Sequence, residues 1–247
     1  MALQESFEKQ GNWLFKRRSF LPLFIVIVGG GWYSFQLYHN NVAVHAWWVD
    51  FLYLCVGFLG LGIRALTVGF TPKGTSGRNT GEGQVAEQLN CSGIYSMVRH
   101  PLYLGNFFMW LAPVLVLSDL WFTLFFCAFY WIYYEKIMYA EEQFLRKKFG
   151  QSYLDWADKT PAFFPKFSLY QQADLEFSLR NVLKREYNGF FNLVLIITAL
   201  RIVGFAITTQ KCYLDKPWII IIAAALVIFS TLKMLKNFTN FLNVEGR

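Results

Sequence analysis

Charge is scarce in this chain. Only 16% of its 247 residues are Asp, Glu, Lys or Arg, against about 25% in an average soluble domain. With 55% hydrophobic residues, the chain is short of the polar surface a soluble globule needs. Cysteine is sparse too: Cys55, Cys91, Cys127 and Cys212 show no CxxC spacing, which argues against a zinc site or a disulfide framework. No internal repeat and no phosphate-binding P-loop is present.

What is abundant comes in blocks. Apolar runs of roughly 20 residues match the ~30 Å hydrocarbon core of a bilayer at 1.5 Å per helical residue. Six spans are predicted, at Phe20–Tyr38, Ala46–Phe70, Leu102–Leu117, Leu120–Tyr139, Phe190–Thr208 and Trp218–Leu235. The first run is too long for the apolar region of a signal peptide and reads as a retained helix. Of the 23 Lys and Arg, 18 fall in the N-terminal tail, the 71–101 loop, the 141–189 segment and the C-terminal end from Lys233 onward. That bias predicts cytoplasmic termini and cytoplasmic long connections. The formal charge of +7 is then juxtamembrane and suited to anionic lipid, giving no reason to expect nucleic acid as a partner.

The expected fold is an all-α integral membrane protein of about six transmembrane helices with interfacial helices. Three units are expected: an N-terminal hairpin (1–70), a central core (71–167), and an interfacial helix with a last hairpin (168–247). The interfacial helix is predicted in "DLEFSLRNVLKREYNGFF", where Leu175, Leu179 and Leu183 alternate with charges.

The central core holds the unusual residues. "SMVRHPLYLGNFFMWL" sets Arg99, His100 and Pro101 at the mouth of the third span, and a turn at Ser118-Asp119 leads directly into the fourth. Two antiparallel helices of about 24 and 31 Å return their far ends to one face, so Arg99-His100-Pro101 should meet Glu141-Glu142. Pro101 suits the first helical turn, where its missing N–H costs nothing. The amides after it suit a carboxylate or phosphate, and Arg99 adds a full positive charge. Tyr103 and Gly105, one turn in, could admit a flat ring. Glu141 and Glu142, expected at a helix C-terminus, repel each other and ask for a cation; Arg146 offers an ordinary i,i+4 partner. A ligand with a carboxylate, an ammonium, a sulfonium and an aromatic base would satisfy both ends, and S-adenosylmethionine is such a ligand.

"GIYSMVRHPLYLG" followed by "EEQFLRKKFGQSYLDW" resembles the signature of the isoprenylcysteine carboxyl methyltransferase and phospholipid methyltransferase family of integral membrane enzymes. The resemblance spans about Gly93 to Tyr153, with Pro161 and Pro165 in keeping with the family's ending. It implies a cytosol-facing S-adenosylmethionine pocket lined by His100, Tyr103 and Gly105, shaped by Arg99 and Pro101, with Glu141 and Glu142 on the cofactor's amino end. Arg99 and His100 become the candidate catalytic residues, and no metal is implied.

The acceptor stays open at this stage. An anionic acceptor needs no base, whereas an amine must first lose a proton, with His100 the convenient base. The polar loop "GFTPKGTSGRNTGEGQ" carries Lys73 and Arg78 among glycines and hydroxyls that suit phosphate oxygens; Arg64 is a further anion anchor. This stretch is similar to a bacterial branch linked to O-methylation of the lipid A 1-phosphate. That resemblance implies a bacterial inner membrane, a lipid or lipid-linked substrate and an active site facing the cytoplasm. Carboxyl methylation of a prenylated cysteine, N-methylation of a phospholipid headgroup, and a small transporter or non-catalytic subunit are the alternatives.

Overall fold

The computed structural model describes residues 3–18, 20–39, 44–72, 74–75, 79–80, 83–84 and 86–247. All six predicted spans are helical. They form α2 (Phe20–His39), α3 (Trp47–Gly69), α4 (Pro101–Val116), α5 (Leu120–Phe149), α7 (Leu179–Thr209) and α8 (Lys216–Phe238). An N-terminal helix α1 (Leu3–Arg17) and a short α6 (Gln151–Ala157) complete the helical set among the described residues. Asn79–Thr80 and Gly83–Gln84 form a two-residue antiparallel ladder. Helices α3, α7 and α8 are long and apolar enough to cross a membrane, while α4 is a shorter apolar helix. Outward residues such as Ile220, Val227 and Met234 of α8 are apolar and exposed, as a lipid-facing helix requires.

Glycines set how closely the central helices approach. A Cβ on Gly60 of α3 would lie 2.3 Å from the Gly105 carbonyl oxygen of α4, and one on Gly105 would lie 2.5 Å from Arg64 Cγ. The two bare backbones let α3 and α4 cross in direct contact, a packing mode common where lipid offers no hydrophobic drive between helices. Farther along α3, Gly57 receives Leu193 of α7. Helix α1 docks on α5 through Gly11, whose Cβ would collide with the Lys136 carbonyl.

Turn chemistry then sets the direction of the central hairpin. Ser118 takes a left-handed φ of 51°, and the Asp119 side chain accepts the Phe122 N–H at 2.7 Å to cap α5. Trp32 and Gln36 of α2 donate to the same carboxylate at 2.9 and 3.1 Å. These charged-acceptor bonds hold the Asp119 carboxyl below the usual carboxylate range, the backbone bond from Phe122 contributing most.

Two helices run longer than the sequence reading has them. Helix α5 continues ten residues past Tyr139 to Phe149 and stops at Gly150, which has φ 55°. Glu141 and Glu142 therefore lie within the helix, and the last turn belongs to Arg146, Lys147 and Lys148. The expected interfacial helix is not separate: from Leu179 it runs unbroken into the last-but-one span as the 31-residue α7. Its polar residues explain this, because they have partners on α3. The buried Asn181 donates to the Val68 carbonyl at 2.9 Å, and Glu186 pairs with Arg64. A segment with buried polar bonds stands against its neighbour rather than lying flat on an interface.

Candidate functional site

The hairpin brings Arg99, His100, Glu141 and Glu142 together. His100 caps α4 at its N-terminus, with Pro101 buried as the first helical residue. The segment after α6 fixes this corner from outside: Arg99 N–H donates to the Pro161 carbonyl at 2.9 Å, His100 N–H to Ala162 at 3.1 Å and Lys166 N–H to Met97 at 3.0 Å. Prolines 161 and 165 suit this path, being extended and needing no donor of their own.

His100 is 6% exposed. Its Nε2 lies 3.0 Å from Glu142 Oε1 and its Nδ1 lies 3.6 Å from Glu141 Oε2. Tyr103 donates its hydroxyl to Glu141 at 2.9 Å and stacks its ring on His100 at 5.5 Å between centroids. Tyr130 in turn donates to the Tyr103 carbonyl at 2.6 Å. Arg99 holds the Ala157 carbonyl at 2.8 Å through Nη1, and its Nε stands 3.1 Å from Glu142 Oε1, an ionic contact without hydrogen-bond alignment. The cations beside Glu142 are thus His100 and Arg99, both brought by the fold, rather than the exposed Arg146.

The electrostatics follow from this crowding. Burial opposes a charge on His100, yet the hydrogen bonds and charges of Glu141 and Glu142 outweigh it and hold the imidazole above its ordinary pKa. Burial likewise opposes ionisation of both glutamates, and His100 more than offsets it, aided by Tyr103 at Glu141 and by Arg99 at Glu142. Burial first, and then the Glu142 charge, push the Tyr153 hydroxyl up. With a carboxylate near each ring nitrogen, the surroundings of His100 favour its protonated form.

A pH dependence follows. A histidine raised in the fold contributes stability that is complete below its unfolded pKa of about 6.5 and fades as pH rises through the folded value. Depressed carboxylates contribute stability that is complete above about 4.3 and fades as pH falls through their lower folded values. The cluster should hold best between about pH 4.3 and 6.5. The melting temperature in neutral detergent is expected to fall from pH 6.5 to 9, and His100→Gln should flatten that slope. An unchanged slope in the variant would remove His100 as its source.

Of the remaining candidate positions, Pro101 and Tyr103 belong to the cluster. Gly105 does not: it turns to α3, and its bareness serves the crossing with Gly60 and Arg64. Arg64 lies on that same side of α4, donating from Nε and Nη2 to the two Glu186 oxygens at 2.7 and 2.8 Å and from Nη1 to Asn106 at 2.7 Å. Lys73 and Arg78 lie outside the described residues.

Sequence reasoning passed over two groups of residues here. Tyr153 stands at a fixed position of the motif, and its buried hydroxyl lies beside Glu142. Arg18, Asn106, Arg185 and Glu186 converge with Arg64 on a cleft of about 670 Å³. No spacing rule links those residues, which come from four different parts of the chain.

The cluster's chemistry matches that of S-adenosylmethionine group by group. Two half-buried carboxylates suit an ammonium, the stacked His100–Tyr103 rings offer an aromatic face, and Arg99 Nε is a buried polar atom without an aligned hydrogen-bond acceptor. The residues fit such a ligand.

Comparison with known proteins gives a family match over part of the chain. Residues 51–152 match the family described as Phospholipid methyltransferase. The cobalt-zinc-cadmium resistance protein CzcN of Cupriavidus metallidurans is 32% identical over 124 residues, covering 50% of this chain and 54% of that protein. The nickel-cobalt-cadmium resistance protein NccN of Alcaligenes xylosoxydans xylosoxydans is 29% identical over 124 residues, 50% of this chain and 55% of that protein. The protein-S-isoprenylcysteine O-methyltransferase of Schizosaccharomyces pombe is 37% identical over 78 residues, 31% of this chain and 33% of that one. The chain spans about half the length of the first two relatives. No solved structure matches it.

Proposed function

We propose, for a chain whose segment 51–152 belongs to the isoprenylcysteine and phospholipid methyltransferase family, that it is a membrane methyltransferase acting on an anionic lipid with S-adenosylmethionine as methyl donor. The observation that carries the choice of acceptor is His100 held between Glu141 and Glu142. A histidine held toward its protonated form beside two carboxylates is a poor base. An amine acceptor needs a base, whereas a phosphate or carboxylate oxygen is already a nucleophile.

Bound in this cluster, S-adenosylmethionine would supply a sulfonium-activated methyl group, whose transfer to an anionic oxygen needs no proton transfer. Glu141 and Glu142 hold the donor's ammonium, and Arg99 and His100 keep both carboxylates ionised and in place. Tyr103 orients Glu141 and presents its ring. The segment 161–166, bonded across the 97–100 corner, keeps water from that side. A lipid A-type phosphate is the acceptor the sequence resemblance favours. O-methylation of an S-isoprenylcysteine, the reaction in the name of the Schizosaccharomyces pombe relative, shares the anion chemistry. The active site faces the cytoplasm of a bacterial inner membrane in this reading, in accord with the distribution of Lys and Arg.

Calorimetry with S-adenosylhomocysteine, followed by incubation with methyl-labelled S-adenosylmethionine and lipid vesicles, tests this. Saturable binding and label in the lipid extract are expected. Absence of binding both in detergent and in lipid nanodiscs would overturn the assignment.

A further inference from the structure

The structure has a second feature on the other side of Tyr103. The 670 Å³ cleft lies between α4 and α7, and Tyr103 lines it while its hydroxyl reaches Glu141. Three arginines converge there from separate elements: Arg18 just after α1, Arg64 on α3 and Arg185 on α7. Among the described residues that line the cleft the one carboxylate is Glu186, which receives two bonds from Arg64, and Arg18 also lies within electrostatic reach of Glu141. The lining thus carries three guanidinium groups and one carboxylate, and the Arg64 guanidinium is held in fixed orientation.

Helix α7 grades along the same wall. Arg185, Asn188 and Asn192 lie at helical spacing on the face that lines the cleft, and Leu195 and Ile196 continue that face. Asn188, Asn192 and Leu195 are exposed there. Asn188 and Asn192 are costly facing hydrocarbon, yet they suit an amphiphile whose polar end meets the arginines and whose chains run along Leu195 and Ile196. Arg18 and Arg185 both come from outside the family-matched segment 51–152.

From this juxtaposition we infer that the cleft seats the anionic head group of a lipid. Helix α7, whose spans the motif leaves without a role, supplies the head-group selectivity. This rests on the methyltransferase reading for its catalytic meaning, since Tyr103 stands between the donor cluster and the cleft. Arg18 and Arg185 act as substrate-binding residues, while Arg64 with Glu186 forms the floor that positions them.

The test uses the full chain in neutral detergent. Thermal stability is titrated with dihexanoyl phosphatidic acid, dihexanoyl phosphatidylcholine and inorganic phosphate, for the native chain and for Arg18→Gln, Arg185→Gln and Lys148→Gln. Lys148 is an exposed cation in the last turn of α5 and reports non-specific charge. Phosphatidic acid should stabilise saturably, with its midpoint at least tenfold higher in Arg18→Gln and Arg185→Gln, about 1.4 kcal/mol, and unchanged in Lys148→Gln. Equal stabilisation by phosphatidylcholine, or equal loss in Lys148→Gln, would overturn the head-group site. Stabilisation by inorganic phosphate alone at the same concentrations would replace the lipid by a free anion and overturn the lipid part. S-adenosylhomocysteine binding, measured on the same samples, should be equal in the native chain, Arg185→Gln and Lys148→Gln. Its absence from every sample would refute the methyltransferase reading and leave the lipid result standing by itself. If the native chain, Arg185→Gln and Lys148→Gln bind it normally while phosphatidic acid leaves stability untouched, the cleft inference fails and the methyltransferase reading stands.

Discussion

Changing Glu141 and Glu142 together to glutamine is expected to weaken S-adenosylhomocysteine binding at least a hundredfold. Hydrogen bonds to charged groups are worth about 1.5–3 kcal/mol each, and every 1.4 kcal/mol is about tenfold in affinity. Two carboxylates that both meet the ligand's ammonium therefore account for about two orders of magnitude or more. Glutamine keeps the size of each side chain, so packing around Tyr103, Tyr130 and Tyr153 is retained. His100, relieved of both charges, would return toward neutrality, and the pH slope of stability should flatten as it does in His100→Gln. Calorimetry on the double variant decides the matter. Unchanged affinity with a flattened pH slope would show that the glutamates serve His100 alone and that the donor lies elsewhere.

Arg201→Met is expected to be the most destabilising single change far from the donor cluster, by about 3–5 kcal/mol. Arg201 has 0% exposure. It bonds Asp50 at the start of α3 and Asp215 before α8, and it reaches the His45 carbonyl at 3.3 Å. His45 Nδ1 in turn meets Asp50 at 3.0 Å and its Nε2 meets Ser118 at 2.6 Å. Removing the arginine leaves two carboxylates facing each other, one of them fully buried. The loss should appear as a lowered unfolding midpoint in detergent, and Asp50→Leu added to Arg201→Met should recover part of it by removing the stranded charge. Binding of S-adenosylhomocysteine to the folded fraction should be unaffected, because the network lies at the opposite end of α3 from Arg64 and Gly105. A variant as stable as the native chain would mean that water already solvates these charges.

The same network shows where a linear reading falls short. Asp50 and Arg201 are 151 positions apart, and in sequence they look like scattered charges near span ends. Only the packing of α3 against α7 makes them partners. Gly105 is the reverse case: a glycine beside the motif invites a cofactor reading, and the crossing with Gly60 gives its bareness another use. Glu141 and Glu142 were legible as a pair in need of a cation, because two carboxylates expected at a helix C-terminus face the negative end of its dipole. Which cation would answer them was not legible, since it arrives from 42 positions upstream across a turn.

By itself, the sequence determined the six helices and the meeting of Arg99-His100 with Glu141-Glu142. Apolar run length and a two-residue turn act locally, and two neighbouring helices of similar length must return to one face. It also carried the resemblance to a methyltransferase family, through fixed residues at fixed spacing, and the family match covers residues 51–152. The tertiary structure alone decided that His100 is held toward its protonated form, because that depends on a carboxylate near each ring nitrogen. It also decided that α7 is one helix standing against α3, and that Arg18, Arg64 and Arg185 face a common cleft. Those are outcomes of burial and contact between distant segments, where the free energy of a charge depends on neighbours that no local pattern records.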